Sequence, residues 1–386
     1  MLAERNKEVP RSEIRLIYNK TLGRTDVFDM TAGIPDFDTP QFVKEAAKKA
    51  IDEGYTKYTH NAGFIETREA FASKLKRDNG IEADPVSEIM TTAGGMGALV
   101  LANLVLLGPG DEAMYPDPGF VSHHAHIKLA EGVPVPVPLK RENGFEMNAE
   151  DIEKLITRRT KLIVLNTPNN PTGGVVSNSE LRKIAELAIE HDFYVIADEA
   201  YERFRYGKED PDFIGALPGM KERTVSIFSL SKTYAMTGWR IGCTAGPDEI
   251  ISAMTKLQEH VLAMPTSISQ KAGEAAVTGP QDCVEEMLSS FRKRRDLITK
   301  GLNSIEGVEL DPPGGAFYVF PDVSAFKMKS YDLVMKILKD TNVATVHGSA
   351  FGKYGEGFLR LCYAVSEERI EEALQRLDTY LPKLLK

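Results

Sequence analysis

The sequence predicts an α/β protein, a mostly parallel central sheet flanked by helices, with a smaller α+β domain after it. Between residues 88 and 245 short apolar runs alternate with helical patterns, as they do where parallel strands are joined by crossover helices. One such connection, SNSELRKIAELAIEHD, sets Leu181, Ile184, Ala185 and Ala188 at i, i+3, i+4 and i+7, on a single helix face. Past residue 281 the pattern changes to long helices around a Pro-Gly loop.

Taken in order, the strands expected are Glu88 to Thr91, Glu112 to Tyr115, Leu162 to Asn166, Tyr194 to Ala197, Thr224 to Ser229 and Gly242 to Ala245. Gln281 to Leu302 reads as a charged helix, followed by the loop DPPGGAFYVF, a mixed segment and a terminal helix. In that last helix Ile370, Ala373, Leu374 and Leu377 form an apolar stripe. Glu367 and Glu368 occupy its first turn, where the peptide dipoles favour anions.

A chain of 386 residues is long enough for two domains and a buried site. With 42% hydrophobic and 27% charged residues it has the composition of an ordinary globular protein, which excludes disordered and fibrous classes. A formal charge of −9 argues against general nucleic-acid binding, which needs clustered cations. The opening residues MLAERNKEVPRSEIR contain no apolar stretch of signal-peptide length, and the run Ala98 to Leu107 is too short to span a bilayer. A cytoplasmic protein without a membrane partner is expected. Cys243, Cys283 and Cys362 lack CxxC spacing and read as reduced, structural thiols.

Ligands of open α/β sheets bind at the carboxyl ends of the strands, and five such places carry polar chemistry. In TTAGGMGALVLANL a strand runs into Gly94 and Gly95 and then a helix near Met96. Unpaired N–H groups there suit a phosphate, although the glycines equally suit a tight strand-to-helix turn. It has neither the Lys-Ser of a nucleotide P-loop nor a full GxGxxG. In VIADEAYERF, Asp198 ends a strand with Tyr201 three residues on; the carboxylate can hold a cationic ring nitrogen or cap the next turn. LNTPNNPTGGVV offers the amides of Asn166, Asn169 and Asn170 in what is also a plain Asn-Pro turn. YPDPGFVSHH sets Phe120 over either a pocket or the sheet. In SLSKTYAMTGWRIG, Ser229, Ser231 and Arg240 surround Lys232. Hydroxyls and a guanidinium grip phosphate, and a lysine buried beside a cation is held neutral, as a nucleophilic amine must be. The bland alternative is a solvated surface lysine.

His123, His124 and His126 have no acidic or thiol partner at metal-ligand spacing. They read as a solvated helix, and no metal is expected.

The five places together supply a phosphate cradle, a carboxylate for a ring nitrogen, a phenol, a stacking aromatic and an amine, the set that pyridoxal 5'-phosphate (PLP) requires. With TAGIPDFDTP from Thr31 and GEGFLRLCYAVSEE around Arg360, they follow one order along nearly the whole chain. In that order the chain resembles the fold type I PLP-dependent aminotransferases, in particular the class I family of aspartate and aromatic aminotransferases. The resemblance implies a transaminase working by a ping-pong mechanism, with the cofactor carried on Lys232 through a Schiff base. Asp198 would pair with the pyridinium nitrogen, Tyr201 and Asn170 with the phenolic oxygen, and Phe120 would stack on the ring. Phosphate would be held by the backbone around Gly94, Gly95 and Met96, by Ser229, Ser231 and Arg240, and by Tyr58 of a partner subunit in a homodimer. Arg360, Asn170 and the Gly33 backbone would grip the substrate α-carboxylate.

The same resemblance implies an N-terminal arm, residues 1–45, packing on a small domain of residues 285–386, with a large PLP-binding domain, 46–284, between them. Two positions depart from the pattern. Met96 stands where acid-preferring relatives carry a lysine that reads a second carboxylate, and His347 stands where proline is common, so the loop facing the substrate is expected to differ. Broad activity toward aspartate, aromatic or other amino acids with 2-oxoglutarate as acceptor is implied. A carbon–sulfur β-lyase on the same fold is the alternative enzyme, and a ligand-sensing aminotransferase-like protein the alternative outside catalysis.

Overall fold

The computed structural model describes residues 5–208 and 210–385. After the N-terminal strand β1 (Phe28–Asp29) come β2 (Ile89–Thr92), β3 (Glu112–Asp117), β4 (Val133–Pro138), β5 (Thr160–Asn166), β6 (Tyr194–Asp198), β7 (Thr224–Ser229) and β8 (Gly242–Ala245). Strands β2 to β8 form a seven-stranded sheet in the order β2-β8-β7-β6-β5-β3-β4. Only β8 runs against its neighbours, so the sheet is mostly parallel as the sequence predicts.

Side chains alternate across a strand, and the core divides accordingly. Ile163, Leu165, Val195 and Ala197 face one side, where Leu181, Ile184, Ala185 and Ala188 of the Asn178–Glu190 helix cover them. Leu162, Val164 and Ile196 face the other, under Ala98, Leu99, Leu101 and Ala102 of the Gly94–Leu106 helix. The crossover helix begins where Ser177 accepts a hydrogen bond from the Glu180 N–H, an N-cap of the kind that closes a first turn.

β4, with sequence VPVPVP, is absent from the expected strands because proline cannot donate to a ladder. It survives as the edge strand, paired only with β3. Pro134, Pro136 and Pro138 fall on alternate residues, so the nitrogens without hydrogens share one side, and that edge is blunted against further pairing.

The remaining strands are β9 (Tyr318–Val319), β10 (Val343–Ala344), β11 (Val346–His347) and β12 (Leu359–Cys362). β11, β12 and β9 make a small antiparallel sheet, and β1 pairs in parallel with β10. Phe291, Ile298, Leu302, Phe317, Leu361, Ile370 and Leu377 fill the core beneath it, and Ile17 and Met30 from the N-terminal segment are buried in the same cluster. No helix among the described residues is long and apolar enough to cross a membrane.

Candidate active site

Register places the carboxyl ends of three strands side by side. Asn166 at the end of β5 lies opposite Asp198 at the end of β6, and Asp198 lies opposite Ile227 near the end of β7. A cavity of about 690 Å³ opens at this edge. Asn166, Asn170, Asp198, Tyr201, Ser229, Ser231 and Lys232 all reach its wall.

Lys232 sits in a single helical turn, Leu230–Thr233, that Ser229 caps by accepting from the Ser231 N–H. Its Nζ donates to the Gly33 carbonyl at 2.5 Å. Burial pushes the amine down to about 8, and the guanidiniums of Arg240 and Arg360 push the same way, against Cys362 and Asp198. The neutral amine is therefore within reach near neutral pH.

One end of the cavity is built for an anion. The Gly94–Leu106 helix starts at Ala93 without a side-chain cap, and Gly95 and Met96 of its first turn line the wall. Uncapped N–H groups and the dipole both favour negative charge. Arg240, in a left-handed conformation (φ 51°), reaches the same place, held by the Thr237 carbonyl at 2.9 Å. Gly94 lies behind it at φ 67°, and a Cβ there would come within 2.9 Å of Arg240 Nη2. Glycine is required at 94 for both reasons.

Asp198 is buried at the cavity floor. Its Oδ1 accepts from the Ala200 N–H at 3.3 Å and its Oδ2 lies 3.1 Å from Nε2 of His123. This corrects the reading of the histidines as a solvated helix. The Val121–Leu129 helix lies on the sheet, with His123 fully buried (0% exposed) and His126 buried beside it, while His124 reaches the Tyr115 hydroxyl at 3.2 Å. Burial, aided by His123, drives His126 down to about 4. His123 is a site residue missed in the sequence. The available signal was its i, i+3 spacing from Phe120, whose ring lines the cavity and meets His123 edge-on at 5.5 Å.

Arg360, on β12 and 2% exposed, also lines the cavity. Nη1 donates to Asn170 Oδ1 at 2.9 Å and Nη2 to the Thr31 carbonyl, while the buried Nε has no acceptor among the described residues. Its guanidinium lies over the Tyr318 ring at 4.6 Å from the centroid. Tyr318, also missed in the sequence, shares a hydrogen bond of 2.8 Å with the Tyr201 hydroxyl. Burial raises the Tyr201 phenol well above its ordinary value, so it stays protonated. Gly33 passes so close that a Cβ there would lie 2.0 Å from the Tyr318 hydroxyl.

Two expectations fall elsewhere. Tyr58 is 88% exposed and off the cavity wall of its own chain. His347 does not face the cavity; its Nε2 meets Glu13 at 2.7 Å and its Nδ1 the Ser349 hydroxyl at 2.8 Å, which ties the Glu13–Thr21 helix to β11. That helix brings Ile14, Arg15 and Tyr18 to the cavity mouth, three residues to which the sequence gave no role.

Residues 25–377 match the aminotransferase class I and II family. An aspartate aminotransferase of Pyrococcus abyssi is 42% identical over 382 residues, with 98% of either chain covered. Aromatic-amino-acid aminotransferase 2 of Thermococcus litoralis is 39% identical over the same length, again with 98% of each covered. Among solved structures, Thermus thermophilus aspartate aminotransferase with maleate aligns at a TM-score of 0.93 and 38% identity, covering 98% of this chain and 99% of that one.

Proposed function

The chain belongs to the aminotransferase class I and II family and is a transaminase, and from that premise we propose that it is PLP-dependent, carrying amino groups from L-amino acids to a 2-oxo acid, probed best with 2-oxoglutarate. One observation carries this reading. A single cavity holds an amine that burial pushes down to about 8 together with two guanidiniums, Arg240 and Arg360, whose hydrogen bonds among the described residues go to neutral acceptors. Such a site is complementary to ligands with a phosphate at one end and a carboxylate at the other.

The residues present fit PLP. The uncapped helix start at Gly94, Gly95 and Met96, with Ser229, Ser231 and Arg240, would hold its phosphate; Asp198 its ring nitrogen; Tyr201 and Asn170 its phenolic oxygen; Phe120 its ring face. When bound, PLP supplies the carbonyl that the amino group attacks and a sink for the electrons of the broken Cα–H bond. Lys232 Nζ would act as the base that takes the Cα proton, its charged form disfavoured by burial. The Asp198 carboxylate would hold a proton on the ring nitrogen, and the His123 contact fixes the carboxylate's orientation. Arg360 and Asn170 orient the α-carboxylate, which brings the Cα–H bond toward Lys232.

A homodimer belongs to the same reading, with Tyr58 of one chain reaching the phosphate end of the other; its bare phenol supports this. So do a cytoplasmic location and a division into arm (1–45), large domain (46–284) and small domain (285–386). The arm's Ile17 and Met30, buried with Phe291 and Leu361, support that division. The relatives' names support aspartate and aromatic amino acids as donors.

The test is a donor panel with and without 2-oxoglutarate. Glutamate formed in stoichiometry with the donor consumed supports transfer. Ammonia and pyruvate from cystathionine without any acceptor would instead support the β-lyase.

A further inference from the structure

Two phenols meet at the cavity wall, Tyr201 from the loop after β6 and Tyr318 from β9, their hydroxyls 2.8 Å apart and both side chains buried. The proposed function gives Tyr201 to the phenolic oxygen of PLP, an assignment on which this inference rests. Tyr318 is left without a role.

Each hydroxyl carries one proton, and burial raises both phenols above their ordinary value, so both protons stay in place near neutral pH. Among the described residues each hydroxyl has the other as its hydrogen-bond partner and no third group. Two protons therefore share one hydrogen bond. One is left over, and since both residues line the cavity it is offered to a ligand there.

Charge decides which oxygen keeps the spare proton. The Arg360 guanidinium lies over the Tyr318 ring, 4.6 Å from its centroid, and a cation there makes that O–H the more acidic and the better donor. Beyond burial, the Asp198 carboxylate acts on Tyr201 in the opposite sense and makes it the better acceptor. Tyr318 donates, Tyr201 accepts, and the Tyr201 proton is the free one.

The pair is also held rigidly. Tyr318 stands on β9 opposite Cys362 of β12, the strand that carries Arg360, and Phe317 meets the Tyr201 ring edge-on at 5.3 Å.

We propose that Tyr318 is a positioning residue for the reaction, which by donating to Tyr201 commits the Tyr201 proton to the phenolic oxygen of the bound cofactor. A hydroxyl that accepts one hydrogen bond donates more strongly in the next, so the chain from Tyr318 through Tyr201 favours negative charge on that oxygen.

The experiment follows the absorbance of the holoenzyme against pH, which reads the proton shared between the Lys232 nitrogen and the phenolic oxygen of bound PLP. A weaker donor to the oxygen leaves its negative charge less stabilised, and the proton is held to higher pH. Tyr318→Phe, which keeps the ring under Arg360, should raise the midpoint by about 0.3 to 1 pH unit. Tyr201→Phe removes a whole hydrogen bond to a charged oxygen and should raise it by about 1 to 2. A residue that acts through Tyr201 has nothing left to act on once Tyr201 is phenylalanine. In that background Tyr318→Phe should accordingly move the midpoint by less than half as much as it does alone. A rise below about 0.3 pH unit in Tyr318→Phe, or half of it or more persisting beside Tyr201→Phe, overturns the assignment. If the parent takes up no PLP, or shows no such titration, the proposed function itself fails, a result distinct from a parent that titrates and a Tyr318→Phe midpoint that does not move.

Discussion

Arg360 donates through Nη1 to the side-chain oxygen of Asn170 at 2.9 Å while its Nε, shut away from solvent, meets no acceptor among the described residues. The pair holds a flat guanidinium in place with its bonding capacity unfilled. Burying such a charge costs several kcal/mol, and no carboxylate among its bonded partners offsets it. The arrangement is intelligible as a site kept ready for an incoming carboxylate, at the expense of stability. Arg360→Met should therefore leave the unliganded protein as stable as the parent or up to about 4 kcal/mol more stable. The same change should lower kcat/KM for every α-amino acid more than about a hundredfold. Urea unfolding beside steady-state kinetics checks both; a less stable variant with intact kinetics would reverse the argument.

Gly33 and Tyr318 are in closer contact than any side chain at 33 would permit, since a Cβ would sit 2.0 Å from the hydroxyl and 3.0 Å from Cζ. Gly33→Ala should push Tyr318 aside, break its bond to Tyr201 and destabilise the fold by about 1–3 kcal/mol. Adding Tyr318→Phe removes the nearer clash but not the further one. A double-mutant cycle should accordingly show partial rescue, with a coupling of about 0.5–3 kcal/mol. Strict additivity would mean that the two residues do not oppose one another.

His126 should give the protein an acid limb. Burial holds it near 4 in the folded chain, from an ordinary value of 6.5. The unfolded chain takes up this proton first as the pH falls, so the contribution is complete above 6.5 and is lost between there and about 4. Each pH unit across that window removes about 1.4 kcal/mol, or about 3 kcal/mol in all. Urea unfolding at pH 7 and pH 4.5 should show a smaller acid loss for His126→Leu than for the parent. Equal losses would place the acid sensitivity elsewhere.

The sheet was legible because apolar runs and a helical stripe are local patterns. Strands β5, β6 and β7 begin or end within two residues of the positions expected, and the Leu181, Ile184, Ala185, Ala188 face is buried as its spacing implied. β4 was illegible because its prolines oppose strand formation everywhere except at an edge, and edge position is a property of the whole sheet. The cavity's strand-end residues could be found as chemistry after apolar runs. Their partners could not. His123 meets Asp198 across 75 residues, Arg360 meets Asn170 across 190, and Lys232 meets the Gly33 carbonyl across 199. No periodicity reaches so far. A histidine on a helix therefore read as solvated until the fold laid that helix on the sheet, and nothing in the sequence placed Ile14 and Tyr18 at the cavity wall.

The central claim is that the Lys232 amine is the group to which PLP attaches. Incubating the purified protein with PLP, reducing with borohydride and mapping the modified peptide by mass spectrometry tests it most directly. The predicted result is a pyridoxyl mass on Lys232 and on no other lysine, lost in Lys232→Ala. Label fixed on a different side chain, or none fixed at all, would contradict it.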